Sequence, residues 1–262
     1  MTERIEVVLS DIDGTQIIPG QKLPSPQVQA AARGLRKNNV SLLEVTSRSH
    51  VLVRELVVPL DLQNNLATLD GGATVAHTDS GDIVWSRWLS AEHTKAVVAG
   101  IGRLCTSIYY DTDSRRRSPS EVAAAVESGD ISSTPSVFAI FGVERGSDII
   151  ATLGSLAGIR HTPVMGYNNS DTLRCIQVVC AGVDKQSGIE EMLRHGNLID
   201  RRKLAIGDGM NDIALFAAAG DNGVRVAMGN APDELKDLAD WVAPPVEEYG
   251  FAVAMERYGL SI

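Results

Sequence analysis

Two runs of alternating strand-like and helix-like segments, one at each end of the chain, constrain its fold more than any other feature. In the first third, "IEVVLS", "VSLLEVTS" and "LATLD" are short and apolar, and "SPQVQAAARGLRKNN" and "SHVLVRELVVPL" between them carry helical spacing. Ser25 and Pro26 give the first helix an N-cap and a first-turn residue. The last third repeats the rhythm. "KQSGIEEMLRHG", "NDIALFAAAG", "APDELKDLAD" and "VEEYGFAVAMERYG" read as helices, and "KLAIGDG", "GVRVAMG" and "WVAP" as strands. Such β–α–β order predicts a parallel sheet wrapped by helices, an α/β core.

The middle breaks the rhythm. From Ile83 to Gly182 the strand-like runs "IVWSRWL", "TSIYYD", "PSVFAIFGV" and "LRCIQVVC" are separated by some helical patterns and by polar turns such as "GYNNSD". This is a mixed α+β pattern. The expected architecture is therefore a discontinuous α/β core, residues 1–82 and 183–262, carrying an inserted α+β unit, residues 83–182.

Composition narrows the partners. The 262 residues hold 33 acids against 24 bases, a net charge of −9, which argues against broad contact with nucleic acid or an anionic membrane. An anionic substrate would need a local attraction that this field does not provide. Cys105, Cys175 and Cys180 are odd in number and lack metal-ligand spacing, so they read as reduced thiols. The five histidines show no metal spacing either. No signal peptide is expected from "MTERIEVVLSD", and no apolar run is long enough to span a bilayer, so a cytoplasmic location is expected.

Open parallel sheets gather ligands at the carboxyl ends of their strands. Asp11 and Asp13 end the first strand, Thr46 and Ser47 the second, and "GDGMND" (Gly207 to Asp212) a late one, while Lys185 opens the helix after the insert. Alone, each has an ordinary reading as an acidic turn, a strand-end hydroxyl, a helix cap or a surface lysine. Yet a cation in the first turn of a helix opposes the helix dipole, and all four signals share one topological position. The set makes chemical sense. Asp11, Asp208 and Asp212 offer the hard oxygens that Mg²⁺ prefers, and Lys185 offsets their charge. A carboxylate so placed can attack phosphorus, with Asp13 passing protons and Thr46 and turn amides holding the phosphoryl oxygens.

"DIDGT", Thr46, Lys185 and "GDGMND", in that order, resemble the four motifs of the haloacid dehalogenase-like hydrolase superfamily. The position of the insert and the tail "VAMGNAPDELKDLADWV" resemble its Cof-type subfamily, which has a Rossmann-like core and a C2-type cap. The resemblance implies Asp11 as nucleophile and Asp13 as acid/base. It implies a phosphate pocket of Ile12, Thr46, Ser47, Arg48, Gly71, Lys185 and Asn211. Its metal shell comprises Asp11, the Asp13 carbonyl, Asp208 and Asp212, around Mg²⁺. The expected protein is a phosphoric monoester hydrolase, monomer or homodimer, acting on a small phosphorylated metabolite such as a sugar phosphate. A phosphomutase or a catalytically silent metabolite-binding regulator are the alternatives.

Three positions depart from the pattern. Gln16 stands where an apolar residue is usual, Ser47 replaces a glycine, and Asp70 replaces the common Asn before Gly71. In the insert, Arg115–Arg117 reads first as a solvated charge run, with Asp111 and Asp113 weakening any nucleic-acid role. Trp85, Trp88 and the "YYD" tyrosines read as packing residues.

Overall fold

A computed structural model describes residues 4–110, 115–164 and 171–261. Asp111, Asp113 and all but the last residue of the "GYNNSD" turn lie outside the described residues. In chain order the strands are β1 (Val7–Ser10), β2 (Ser41–Val45), β3 (Leu66–Leu69), β4 (Thr74–His77) and β5 (Ile83–Ser86). Then follow β6 (Ser107–Tyr109), β7 (Arg116–Arg117), β8 (Val137–Gly142), β9 (Ile159–Pro163) and β10 (Leu173–Cys180). The last three are β11 (Lys203–Gly207), β12 (Val224–Ala227) and β13 (Trp241–Val242). The chain divides into two units, residues 1–85 with 185–262, and residues 86–184.

The large unit is the expected α/β core. Its eight strands run in the order β13-β12-β11-β1-β2-β3-β4-β5, and β1 pairs in parallel with both β2 and β11. Side chains alternate across a strand, so both faces must be covered when every strand residue is apolar. Val8 enters a core with Val28 and Leu35 of helix Pro26–Lys37 and Phe251 and Met255 of helix Gly250–Arg257. Val7 and Leu9 enter the opposite core, with Ile189 and Met192 of helix Lys185–His195 and Leu215 of helix Ile213–Ala219. The Ser25 hydroxyl caps its helix as expected, accepting from the Val28 amide at 3.3 Å.

Two parts of this unit differ from the sequence expectation. β4 runs antiparallel to β3, so the sheet is mixed. The reversal is made by Asp70, Gly71 and Gly72, three consecutive residues with φ of 55°, 70° and 110°, a left-handed turn that a strand periodicity does not register. β5, assigned above to the insert, is the edge strand of the large sheet, and the boundary between units falls after Trp85. A short turn that closes with the Gly81 amide donating to His77 O leads into it. Trp85 packs on the core that Leu9 enters. In "SHVLVRELVVPL" only His50–Arg54 is α-helical; with Pro59 ahead and two adjacent valines, the segment continues as turns.

The second unit is an antiparallel sheet in the order β7-β6-β8-β10-β9. Ile108, Ala139, Ile176 and Val178 on one face form a core with Val97, Ile101, Val122, Ile149 and Leu153 from three helices. The arginine run is largely committed inside this unit. Arg117 donates to Tyr110 O and lies 4.4 Å over the Tyr110 ring, and Arg115 pairs with Glu121. All three cysteines are free, and burial pushes the Cys105 and Cys175 thiols up to about 12, which leaves them unreactive. No helix among the described residues is long and apolar enough to cross a membrane.

Candidate active site

The carboxyl end of β1 turns sharply, with the amides of Thr15, Gln16 and Ile17 all donating to Ile12 O. Ile12 itself is buried in the core, so its side chain cannot face a ligand. The turn needs glycine at position 14, where φ is 84° and a Cβ would stand 2.1 Å from Asp208 Oδ2. That close approach joins the end of β1 to the end of β11. Thr15 Oγ1 donates to Asp208 Oδ1 at 3.0 Å, and Asn230 Nδ2 donates to both Gly14 O and Asp208 Oδ2, at 2.9 and 3.2 Å.

Lys185 enters from the opening residue of its helix and is 5% exposed. Its Nζ lies 2.9 Å from Asp11 Oδ1 and 2.7 Å from Asp212 Oδ1. The other oxygen of Asp212 accepts the amides of Asp208 and Gly209, at 3.0 and 2.9 Å, so the carboxylate is tied on both sides. Asp11, Asp208 and Asp212 each bring an oxygen into a group lying within 4.8 Å of one another. Three converging carboxylates with one lysine fit a hard divalent cation by donor type and number.

Burial holds the Asp11 carboxyl well above the ordinary carboxylate range, with Lys185 pulling the other way and Asp212 and Asp208 adding to the rise. Burial, and then Asp212, raise Asp208 to about 7. Burial also opposes the charge of Lys185, but Asp11 and Asp212 outweigh it and raise its pKa above the ordinary lysine value. Three carboxylates thus face one lysine, so the cluster carries a net negative charge.

Asp13 stands apart from this cluster, its side chain 47% exposed and gripped by Arg48, with Nε to Oδ2 at 2.9 Å and Nη2 to Oδ1 at 2.7 Å. The bidentate fork fixes the carboxylate in one plane. Thr46 closes β2. Its amide donates to Thr68 O, its carbonyl accepts from Gly71, and its hydroxyl accepts from the Arg48 amide at 3.1 Å. Ser47 and Gly71 are half-buried beside it and Asn211 is exposed. Asn230 was not singled out in the sequence, though it follows β12 at the same topological position as the other site residues.

Asp70 is buried and burial lifts its carboxyl to about 7, with Thr74 opposing the rise. The folded state therefore keeps a proton that the unfolded chain, at the ordinary value of 3.8, gives up. Stability from this group is full below about pH 4, falls as pH rises towards about 7 and is lowest above it. Asp70→Asn removes the charge, and Asn tolerates the positive φ. The variant should gain about 2–4 kcal/mol at about pH 8 and nothing near pH 4, read by urea unfolding at both. An equal effect at the two pH values would contradict this electrostatic account.

Comparison with known proteins follows the same lines. A family model described as haloacid dehalogenase-like hydrolase matches residues 8–118 and 147–255. The 5-amino-6-(5-phospho-D-ribitylamino)uracil phosphatase YcsE of Bacillus subtilis is 25% identical over 260 residues, covering 98% of this chain and 96% of that protein. The HMP-PP phosphatase of Cronobacter sakazakii is 27% identical over 267 residues, with 95% and 92% covered. Among solved structures, a haloacid dehalogenase-like hydrolase from Bacteroides thetaiotaomicron aligns with a TM-score of 0.80 at 20% identity, covering 97% of this chain and 99% of that one. The subclass IIB sugar phosphatase BT4131 aligns with a TM-score of 0.73 at 18% identity, with 97% and 99% covered. At those identities the structural likeness speaks for the fold.

Proposed function

The chain belongs to the haloacid dehalogenase-like hydrolase family, and from that premise we propose that it is a Mg²⁺-dependent phosphatase of a small phosphorylated metabolite, of the sugar-phosphate class. The observation that carries the reading is Lys185 bridging Asp11 and Asp212 beside Asp208, at the carboxyl ends of β1 and β11. A silent metabolite-binding protein would have no use for so costly a buried cluster. Two relatives matched over more than nine-tenths of their length are both named as phosphatases of phosphorylated metabolites, which supports the same class. A cytoplasmic location belongs to the proposal.

In this reading the Asp11 carboxylate attacks phosphorus, forming an acyl-phosphate as the bond to the ester oxygen breaks. Asp13, once one oxygen is released from the Arg48 fork and protonated, gives the departing oxygen that proton. It then takes a proton from a water that attacks the aspartyl-phosphate, releasing inorganic phosphate and restoring Asp11. Lys185, the Thr46 hydroxyl and the Ser47 amide receive the phosphoryl oxygens, with Arg48, Asn211, Gly71 and the Ile12 amide at the margin. Mg²⁺ would be held by Asp11, Asp208, Asp212 and the Asp13 carbonyl, and would supply positive charge to those oxygens.

Purified protein screened against phosphorylated metabolites for release of free phosphate tests the proposal, with and without EDTA. EDTA should silence the parent. Asp208→Ala removes one hard ligand but leaves Asp11 and Asp13, so its rate should fall about 10²-fold at low Mg²⁺ and recover in part at excess. Full parental activity in EDTA would remove the metal from the scheme, and a phosphate moved rather than released would point to a mutase.

A further inference from the structure

Behind the strand end that presents Asp11, three polar side chains meet in the interior of the large unit. Ser10 and Glu44 are fully buried and Gln16 is 2% exposed. They come together because β1 pairs with β2 with Ser10 opposite Glu44, and because the turn after β1 folds Gln16 back beneath it. Gln16 Nε2 lies 2.7 Å from Glu44 Oε2, 2.9 Å from Ser10 Oγ and 3.2 Å from the Asp11 carbonyl oxygen. The Ser10 hydroxyl donates to that same carbonyl at 2.7 Å. Turning the amide over would set its oxygen against a carboxyl and a carbonyl, so the network fixes its orientation.

Filling space does not require this arrangement. Gln16 Oε1 and Glu44 Oε1 are buried with no hydrogen-bond partner, a cost that two apolar side chains would avoid. What the polar pair adds is a grip on the Asp11 carbonyl. The Asp11 amide already donates to Ile206 O in the sheet at 3.1 Å. With the carbonyl held by Ser10 and Gln16, the peptide groups on both sides of the Asp11 Cα are fixed. A tilt of either would swing the side chain that shares that Cα.

We propose that Gln16, held by Glu44, is a positioning residue for Asp11, fixing the backbone from which the nucleophile projects; the inference rests on the phosphatase reading. A misplacement of the attacking oxygen costs rate without costing affinity, since the phosphate contacts of Lys185 and Thr46 remain.

The test uses p-nitrophenyl phosphate as probe and three variants of the full chain. Gln16→Met should lower kcat about tenfold or more with KM within about twofold, and lower Tm because Glu44 loses its donor. Adding Glu44→Leu removes that stranded acid, so the double variant should regain Tm but not kcat. Glu44→Gln still offers an oxygen to Gln16 Nε2 and should keep the parental kcat. A double variant with parental kcat would show the pair to be structural only. So would Gln16→Met alone at parental kcat, should the double variant fail to fold. Glu44→Gln as slow as Gln16→Met would equally overturn the role given to Gln16. A parent inactive on this ester and on the metabolite panel overturns the phosphatase reading itself, before any variant is compared.

Discussion

Asp11→Asn is expected to hydrolyse phosphate esters at least about 10⁴-fold more slowly than the parent while folding normally, because it deletes the proposed nucleophile at constant side-chain size. Stability and activity should move apart. Burial and the neighbouring acids hold the Asp11 carboxyl well above its ordinary range, against the pull of Lys185. A raised carboxyl favours the protonated folded state, so the charged form is the costly one and the cost is greatest at neutral pH and above. With the charge gone, unfolding in EDTA at about pH 8 should require as much urea as the parent or more, the difference closing towards pH 4. Lys185 keeps a partner in Asp212, at 2.7 Å, so the variant does not strand a buried cation. Turnover near the parental rate, with mass spectrometry excluding deamidation back to Asp, would end the covalent scheme.

Why so much of the large unit was legible in the residues has a physical cause. A parallel sheet covered on both faces forces near-continuous apolar strands, and "VVLS", "SLLEV" and "KLAIG" became β1, β2 and β11 with little room for another outcome. The helices that pack on them follow 3.6-residue spacing, and Lys185–His195 starts at the expected residue. What escaped the pattern lies in turns and edges. The strand Thr74–His77 follows a left-handed turn, and β7 is two arginines long, too short to carry a period. The site divides in the same way. Asp11, Asp208, Asp212 and Lys185 meet because they end strands or open helices at one edge, which motif order alone suggests. The Arg48–Asp13 fork, Asn230, and the Glu44–Gln16 pair depend on side-chain directions that no spacing encodes.

Lys185→Met should be the most destabilising single change at the site, by about 3–5 kcal/mol in metal-free buffer near pH 8, because two buried carboxylates lose the cation they share. The sign of its pH dependence follows from the groups left behind. Lys185 has a raised pKa, so its own contribution is present at all pH values below the ordinary lysine range and does not vary there. Without it, Asp11, already raised by burial, loses its one opposing influence among the causes of its shift and is driven higher. The deficit should therefore widen as pH rises past the ordinary carboxylate range and narrow as it falls below about 4, where Asp11 becomes protonated in the unfolded state as well as the folded one. Pairing the change with Asp212→Asn should return part of the loss, because the second buried charge then disappears with the first. Activity should not return in that double variant, since the group proposed to receive the phosphoryl oxygens is still missing. Urea unfolding of the parent and both variants at about pH 5 and pH 8, in EDTA, separates these outcomes. A Lys185→Met protein equally stable at both pH values, and no less stable than the parent, would mean that the bridge between Asp11 and Asp212 does not hold the site together.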